Sequence, residues 1–413
     1  MRFPIEAVRA RFPALSVTDA GAPRIYFDAP GGTQVCAPAI ARIVAHLESG
    51  TANAGGAFAS SVDTDALSAA AHKAMGDLLG ARADEIAFGP NMTSLTLAVS
   101  RALSSKWSAG DELVVTRLDH DANVAPWLLV ARDRGMTVRW LDFDPATGRL
   151  DLDALPGLLG VKTRLVAVGG ASNALGTLND IAAISAIVRA HCDALVFADA
   201  VQSVPHVVTD VAALGCDLLV CSPYKFFGPH QGVLWGRAAV LDRVAAYKVR
   251  PAKLGHAARF ETGTPSFEGQ AGVLGTIEYL DWLGGELGAN PADDCPARLR
   301  TAMRGCEAYE AEIGGRLLDG LGRIDGLRLY GPQTMNGRVP TFAFKLAGHA
   351  PDAIAAHLAS RNIFAWSGSF YAPEVIERLG LTASGGLLRV GLCHYSTPGE
   401  VDALLAAMAE LRP

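Results

Sequence analysis

Charge is scarce in this chain. Only 19% of its 413 residues are charged, and just seven are lysine (73, 106, 162, 225, 248, 253 and 345). The net charge of −6 is spread along the sequence with no basic block, which argues against nucleic acid or an anionic membrane as partner. Cysteine is sparse as well: seven residues (36, 192, 216, 221, 295, 306 and 393), an odd number with no CxxC spacing. Several lie inside apolar runs and read as reduced core thiols of a cytoplasmic protein. No charge-free apolar run reaches the roughly 18 residues of a membrane span. The segment from Met1 to Phe12 carries charges throughout and reads as a short amphipathic helix, not a signal peptide. Internal repeats and low-complexity linkers are absent. Half of the residues are apolar, enough for a substantial core, and the length suits one large domain plus a smaller one.

Short apolar runs alternate with helix-like stretches from about Asp84 to Gly236. The runs are Ile86–Phe88, Glu112–Thr116, Thr137–Leu141, Arg164–Val168, Leu195–Phe197 and Leu218–Val220, with amphipathic segments such as Asp180 to His191 between them. That alternation predicts a parallel α/β sheet with helices on both faces. An Ala-, Arg- and Glu-rich stretch from Pro291 to Leu321 predicts a long connecting helix. Leu327–Tyr330, Thr341–Lys345 and Leu387–Gly391 then predict strands of a smaller α/β domain, with a helix over Asp352 to Arg361. The expected layout is an N-terminal helical segment of the small domain at 1–20, a large domain at 21–286 and a small C-terminal domain at 287–413.

Two of the buried-looking strands end in polar side chains. The first closes on Asp199-Ala-Val-Gln202-Ser203 and the second on Ser222-Pro-Tyr224-Lys225. Carboxyl ends of parallel strands open onto ligand crevices. An acid at one such end and a lysine at the next suit pyridoxal 5′-phosphate, whose aldehyde takes a lysine as a Schiff base while an acid keeps its ring nitrogen protonated. Lys73, Lys106 and Lys162 sit at ordinary solvated positions, whereas Lys225 has apolar neighbours that lower its pKa. An ordinary structural lysine is the alternative. Phe88-Gly-Pro-Asn-Met92-Thr93-Ser follows a strand and opens a helix, a place where free N–H groups and a hydroxyl can hold a phosphate. A plain N-cap by Asn91 or Thr93 explains the same residues. His120, between Asp119 and Asp121, can stack on a ring or shuttle a proton; a surface position or a metal ligand is the alternative, although no second His or Cys follows at ligand spacing. Gly169 to Gly176 lacks the GxGxxG spacing of a dinucleotide site.

Taken in order, these fragments resemble the class V aminotransferase superfamily of fold-type I pyridoxal-phosphate enzymes, in its cysteine desulfurase and selenocysteine lyase branch. The resemblance runs through Tyr26–Thr33, Phe88–Ala98, Asp119–Asn123, Ala171–Gly176, Asp199–His206, Ser222–Lys225, Arg259–Pro265 and Leu388–Val390. It implies a large domain with a mostly parallel sheet flanked by helices, plus a smaller C-terminal α/β domain. It implies that Lys225 bonds the cofactor and moves the substrate's Cα proton, that Asp199 pairs with the ring nitrogen, and that His120 stacks on the ring. By the same resemblance Asn173 and Gln202 would bond near the phenolic oxygen. Met92 (through its backbone), Thr93, Ser222 and Tyr224 would hold the phosphate, and Thr264 would complete that site from the other subunit of a homodimer. Arg389 would bind the carboxylate of a small amino-acid substrate; a plain salt bridge is the alternative.

Departures from the branch bear on the reaction. Its mobile loop carries a cysteine that takes sulfur as a persulfide, but here the loop reads Ala365-Trp366-Ser-Gly-Ser-Phe-Tyr371-Ala-Pro373, with Tyr371 about where the thiol would be. Trp366 stands where an arginine is common, and Tyr224 replaces the usual His before the lysine. The early Asn-x-His-Arg segment becomes Asn53-Ala-Gly-Gly. The expectation is a β-elimination C–S or C–Se lyase without a persulfide cysteine, with Asn53, Trp366 and Tyr371 lining the substrate pocket. The alternative is an aminotransferase or amino-acid epimerase acting on a larger substrate.

Overall fold

The computed structural model describes residues 2–411. Seven strands form the main sheet: β1 (Ile86–Gly89), β2 (Glu112–Thr116), β3 (Thr137–Leu141), β4 (Thr163–Gly169), β5 (Leu195–Asp199), β6 (Leu218–Cys221) and β7 (Gly232–Gly236). They lie in the order β1-β7-β6-β5-β4-β2-β3. All run parallel except β7, which is antiparallel to both of its neighbours. The mostly parallel α/β expectation therefore holds. The sequence pattern does not predict β7, whose short apolar run, Val233-Leu-Trp, is closed in by a glycine on each side. Its backbone nevertheless completes the sheet beside β1.

Alternation along the central strands explains why both faces are covered. Val196 and Ala198 of β5 pack into one apolar layer and Phe197 into the other; Leu219 and Cys221 of β6 join the first layer, Leu218 and Val220 the second. Burial of a side chain such as Phe197 contributes roughly 1.5–3 kcal/mol. Helices α1 (Ala37–Glu48), α2 (Ala59–Leu79), α3 (Met92–Ser104), α4 (Ala125–Arg134), α5 (Ile181–His191) and α6 (Phe267–Glu286) cover the sheet and one another. Asp180 caps α5 by accepting from the Ala183 N–H at 2.9 Å, so the expected segment begins one residue early as a cap.

A second, four-stranded antiparallel sheet follows α7 (Cys295–Leu321). Its strands are β8 (Leu327–Tyr330), β9 (Thr341–Leu346), β10 (Trp366–Gly368) and β11 (Leu387–Gly391), in the order β8-β9-β11-β10. Helix α7 starts later than Pro291 because Asp294 supplies the cap, accepting from the Ala297 N–H at 2.9 Å. Trp366-Ser-Gly has no apolar alternation, so the sequence predicts a loop over β10, and its pairing with β11 alone makes it a strand. Helices α8 (Pro351–Ala359), α9 (Pro373–Arg378) and α10 (Pro398–Ala409) complete the chain. The expected N-terminal helix covers only Ile5–Arg9. Met1, like Arg412 and Pro413 at the end of the expected smaller domain, lies outside the described residues. Among the described residues no helix is long and apolar enough to cross a membrane.

The segment from Phe27 to Thr33 joins the two sheets. The Phe27 carbonyl accepts from Gly391 N–H at 2.8 Å, and Thr33 N–H donates to the Tyr224 carbonyl at 3.0 Å. The end of β11 is thereby fixed against the turn that follows β6. On the other side, β7 approaches the start of α3 so closely that a Cβ on Gly232 would fall 2.3 Å from the Asn91 carbonyl carbon. Gly232→Ala should therefore push α3 from the sheet and destabilise the protein by about 1–3 kcal/mol, an overpacking penalty. Thermal melting checks this, and an unchanged midpoint would refute the tight approach.

Candidate active site

Lys225 closes a short turn, Pro223–Lys225, at the carboxyl end of β6, beside the end of β5 that carries Asp199. Its side chain is buried, and Nζ donates to the Pro30 carbonyl at 2.5 Å while lying 4.9 Å from the centre of the Tyr224 ring. Burial pulls this amine down to about 7; Arg389 adds to the fall, while Asp199 and Asp28 oppose it. Asp199 moves the other way. Burial raises its carboxyl to about 7, against the Val201 N–H that donates to it at 3.0 Å. Around neutral pH the amine and the acid thus each titrate, the condition for moving a proton in either direction.

The other predicted residues gather around this pair. Gln202 Nε2 donates to the same Pro30 carbonyl at 2.8 Å. His120 lies just past β2, and its Nδ1 accepts from Ala122 N–H at 3.0 Å. Burial, then Lys225 and Arg389, hold this imidazole down to about 4, so it is neutral at pH 7. Asn173 follows β4; its Nδ2 donates to the Phe370 carbonyl at 2.7 Å, while its Oδ1 is buried without a partner. Arg389 is buried in β11. It donates through Nη1 to the Asn173 carbonyl at 2.9 Å, lies 4.4 Å from the centre of the Phe370 ring, and has an unpartnered Nε. The salt-bridge alternative fails for Arg389, since no carboxylate of the described residues is within ion-pair range. Burial lowers its guanidinium to about 9, still charged at neutral pH.

The family model for aminotransferase class-V matches residues 25–404. The chain belongs to that family. Over 426 residues it is 31% identical to a cysteine desulfurase of Dickeya dadantii, covering 98% of this chain and 96% of that protein. An aminotransferase-like protein of Gibberella zeae is 30% identical over 423 residues, 98% of each. In three dimensions the apo cysteine desulfurase of Thermococcus onnurineus NA1 matches with a TM-score of 0.88 at 25% identity, covering 99% of this chain and 98% of that one.

Class V aminotransferases of this type are pyridoxal-phosphate enzymes, and the polar groups of this pocket fit that cofactor. Ser222 Oγ and Asn173 Oδ1 are buried with nothing to bond, as a site built for a polar guest requires. The start of α3 offers the same fit. Asn91 takes the cap, accepting from Ser94 N–H at 2.8 Å, while the earlier N–H groups of Met92 and Thr93 remain without an intrahelical partner. The N-cap expected of Asn91 or Thr93 thus falls to Asn91, and Thr93 stays exposed with its hydroxyl 3.5 Å from Met92 Sδ. The Tyr224 ring stacks on His230 at 4.8 Å between centres.

Two predicted residues stand apart. Asn53 and Thr264 are exposed, and among the described residues no hydrogen bond ties either to the Lys225 cluster; the Asn53 carbonyl instead accepts from Ser61 Oγ at 2.6 Å. Trp366 and Tyr371 are also largely exposed, but both reach the site's rim. The indole Nε1 sits 2.7 Å from where a Cβ of Gly31 would be, and the Tyr371 ring lies nearly parallel to that of His120, centres 5.7 Å apart. Sequence reasoning passed over Asp28, whose carboxyl burial raises to about 6 and whose Oδ1 has no partner. An acid inside Tyr26-Phe-Asp-Ala-Pro was the available signal. Pro30 left none, because it acts through its carbonyl. Cys393 is fully buried, and burial holds its thiol well above the usual range.

The buried ammonium of Lys225 gives a stability signature in cofactor-free protein. Its folded pKa lies below the unfolded value, so the penalty is complete below about pH 7 and vanishes above about pH 10.4. Lys225→Met should therefore stabilise by a few kcal/mol near pH 6 and progressively less as pH rises. Denaturant titrations across that range measure it, and a gain that grows with pH would contradict the burial.

Proposed function

We propose that this enzyme expels a β-substituent from an amino acid, as a C–S or C–Se lyase without a sulfur-accepting cysteine. The observation that carries this reading is the loop from 365 to 373. It presents Tyr371 at the site's rim and no thiol, and the nearest following cysteine, Cys393, is sealed in the core. A cysteine desulfurase among the relatives supports a sulfur amino acid as substrate.

Pyridoxal phosphate, when bound, supplies an aldehyde carbon for an amine and an electron-accepting ring. Lys225 would carry the covalent link to it. The N–H groups of Met92 and Thr93, with the side chains of Thr93, Ser222 and Tyr224, would hold the phosphate. Asp199 would keep the ring nitrogen protonated, His120 would stack on the ring, and Asn173 and Gln202 would hydrogen-bond near the phenolic oxygen. Arg389 takes the substrate carboxylate with its free Nε and the adjoining edge of its planar fork. Once the substrate amine had displaced it from that link, the freed Lys225 Nζ would remove the Cα proton and pass it on to the leaving sulfur. The Cβ–S bond then breaks with its electron pair on sulfur, and the enamine set free hydrolyses to pyruvate and ammonia.

Product analysis tests the reading. The loaded enzyme incubated with L-cysteine or L-selenocysteine should yield pyruvate, and Lys225→Ala should yield none. Alanine would overturn the reading in favour of sulfur transfer to an acceptor. Absence of both, with amino-group transfer or Cα exchange on a bulkier amino acid, would favour the aminotransferase or epimerase alternative.

We further infer a homodimer in which Thr264 of each copy completes the phosphate site of the other. Ile40, Val44 and Leu47 form one exposed apolar stripe on α1 at helical spacing, and Phe58 and Val62 at the start of α2 are exposed too. Contiguous exposed apolar surface of this kind marks an interaction face. Light scattering should give twice the chain mass, and Val44→Asp with Leu47→Asp should yield monomers that hold the cofactor poorly. A monomeric, fully loaded native protein would refute it.

A further inference from the structure

Between β10 and α9 the chain makes a four-residue turn, Ser369–Ala372, in which two adjacent non-glycine residues take left-handed backbone: Phe370 at φ 58° and Tyr371 at φ 56°. Side chains at such angles are disfavoured, and the arrangement persists only where the surroundings over-determine it. Here they do. Asn173 Nδ2 donates to the Phe370 carbonyl at 2.7 Å, Asp121 N–H donates to the Tyr371 carbonyl at 2.7 Å, and Ala372 N–H closes the turn on Ser369 at 2.9 Å. Helix α9 anchors the far end, through the Arg117–Glu374 pair and through Arg378 Nε on Asp142 at 2.8 Å. The two clamping residues belong to the segments that carry the site, one being Asn173 itself and the other the neighbour of His120.

The clamp has a consequence for the rings. It lays Phe370 on Arg389, 4.4 Å from the guanidinium carbon, and sets Tyr371 nearly parallel to His120. We propose that Phe370 and Tyr371 are the positioning pair of this active site, a strained turn bracing the carboxylate-binding arginine and the ring-facing histidine at once. Phe370 covers one face of the guanidinium, so a carboxylate must meet its edge. Tyr371 backs the imidazole and keeps it from tilting away from the cofactor. The phenol hydroxyl has no part in this; the ring does the work. The inference rests on pyridoxal phosphate occupying the site but not on β-elimination.

The test uses pyridoxal-phosphate-loaded protein with glycine as the amino-acid probe, which has no β-substituent to lose. Tyr371→Gly removes the ring while suiting left-handed backbone, so it folds where an alanine is strained. It should change the visible circular dichroism of the bound cofactor at least twofold, and Tyr371→Phe should restore the native spectrum. Phe370→Gly should weaken glycine binding, read from the visible absorbance change, roughly 3- to 10-fold, the range of a lost cation–π contact. Native dichroism in Tyr371→Gly, or native glycine affinity in Phe370→Gly, would overturn the proposal. So would a Tyr371→Phe protein as altered as Tyr371→Gly, because the hydroxyl would then be the active part. A protein that responds in this way yet releases no pyruvate from any thiol substrate keeps this inference and loses the elimination reading.

Discussion

The desolvated amine of Lys225 is the constraint around which the rest is arranged. An ammonium that deep in the protein is expensive unless its charge is answered or given up. The structure offers a carbonyl at 2.5 Å, an aromatic face at 4.9 Å, and two carboxyls, Asp199 and Asp28, near enough to be felt but not paired. The result is an amine drawn to about 7, balanced against an acid raised to about 7. A direct salt bridge would have fixed both charges and removed either group from proton transfer. Keeping them apart leaves each ready to change state.

That balance depends on elements distant in sequence. Pro30 accepts from both Lys225 and Gln202, so one carbonyl on a connecting segment sets the position of two site residues. The same segment is bonded to β11, which carries Arg389. A second link runs deeper, through buried polar groups. His206, seven residues past Asp199, bonds Glu310 of α7 at 2.8 Å, and Tyr279 of α6 bonds His394, five residues past Arg389, at 2.6 Å. Burial pushes Glu310 up and His394 down to about 3. The loops that follow Asp199 and Arg389 are thus each tied to one of the two long helices α7 and α6.

Sequence alone determined much of this. Strand runs such as Glu112–Thr116 and Leu387–Gly391 coincide with the observed strands, because short runs of buried aliphatic residues leave few other options. The lysine, the acid, His120, Asn173, Gln202 and Arg389 were also legible, since each is a polar residue at an abrupt end of an apolar run or within a family motif. The class of cofactor followed from the lysine and acid at neighbouring strand ends together with the family resemblance.

What only the tertiary structure decided is carried by backbone and by pairing. Strand β10 exists because β11 lies alongside it, and β7 because β1 and β6 leave a gap for it. The Pro30 carbonyl has no side-chain signature, and Asp28 becomes a perturbed acid only through burial in the fold, which the charges of Arg389 and Lys225 partly oppose. The left-handed turn at Phe370 and Tyr371 is invisible in a sequence that offers no glycine there, because its conformation is imposed by Asn173 and Asp121, residues far away in the chain. Local propensity sets which strands and helices can form, but such long-range hydrogen bonds and desolvation decide how the side chains of the site are held and charged.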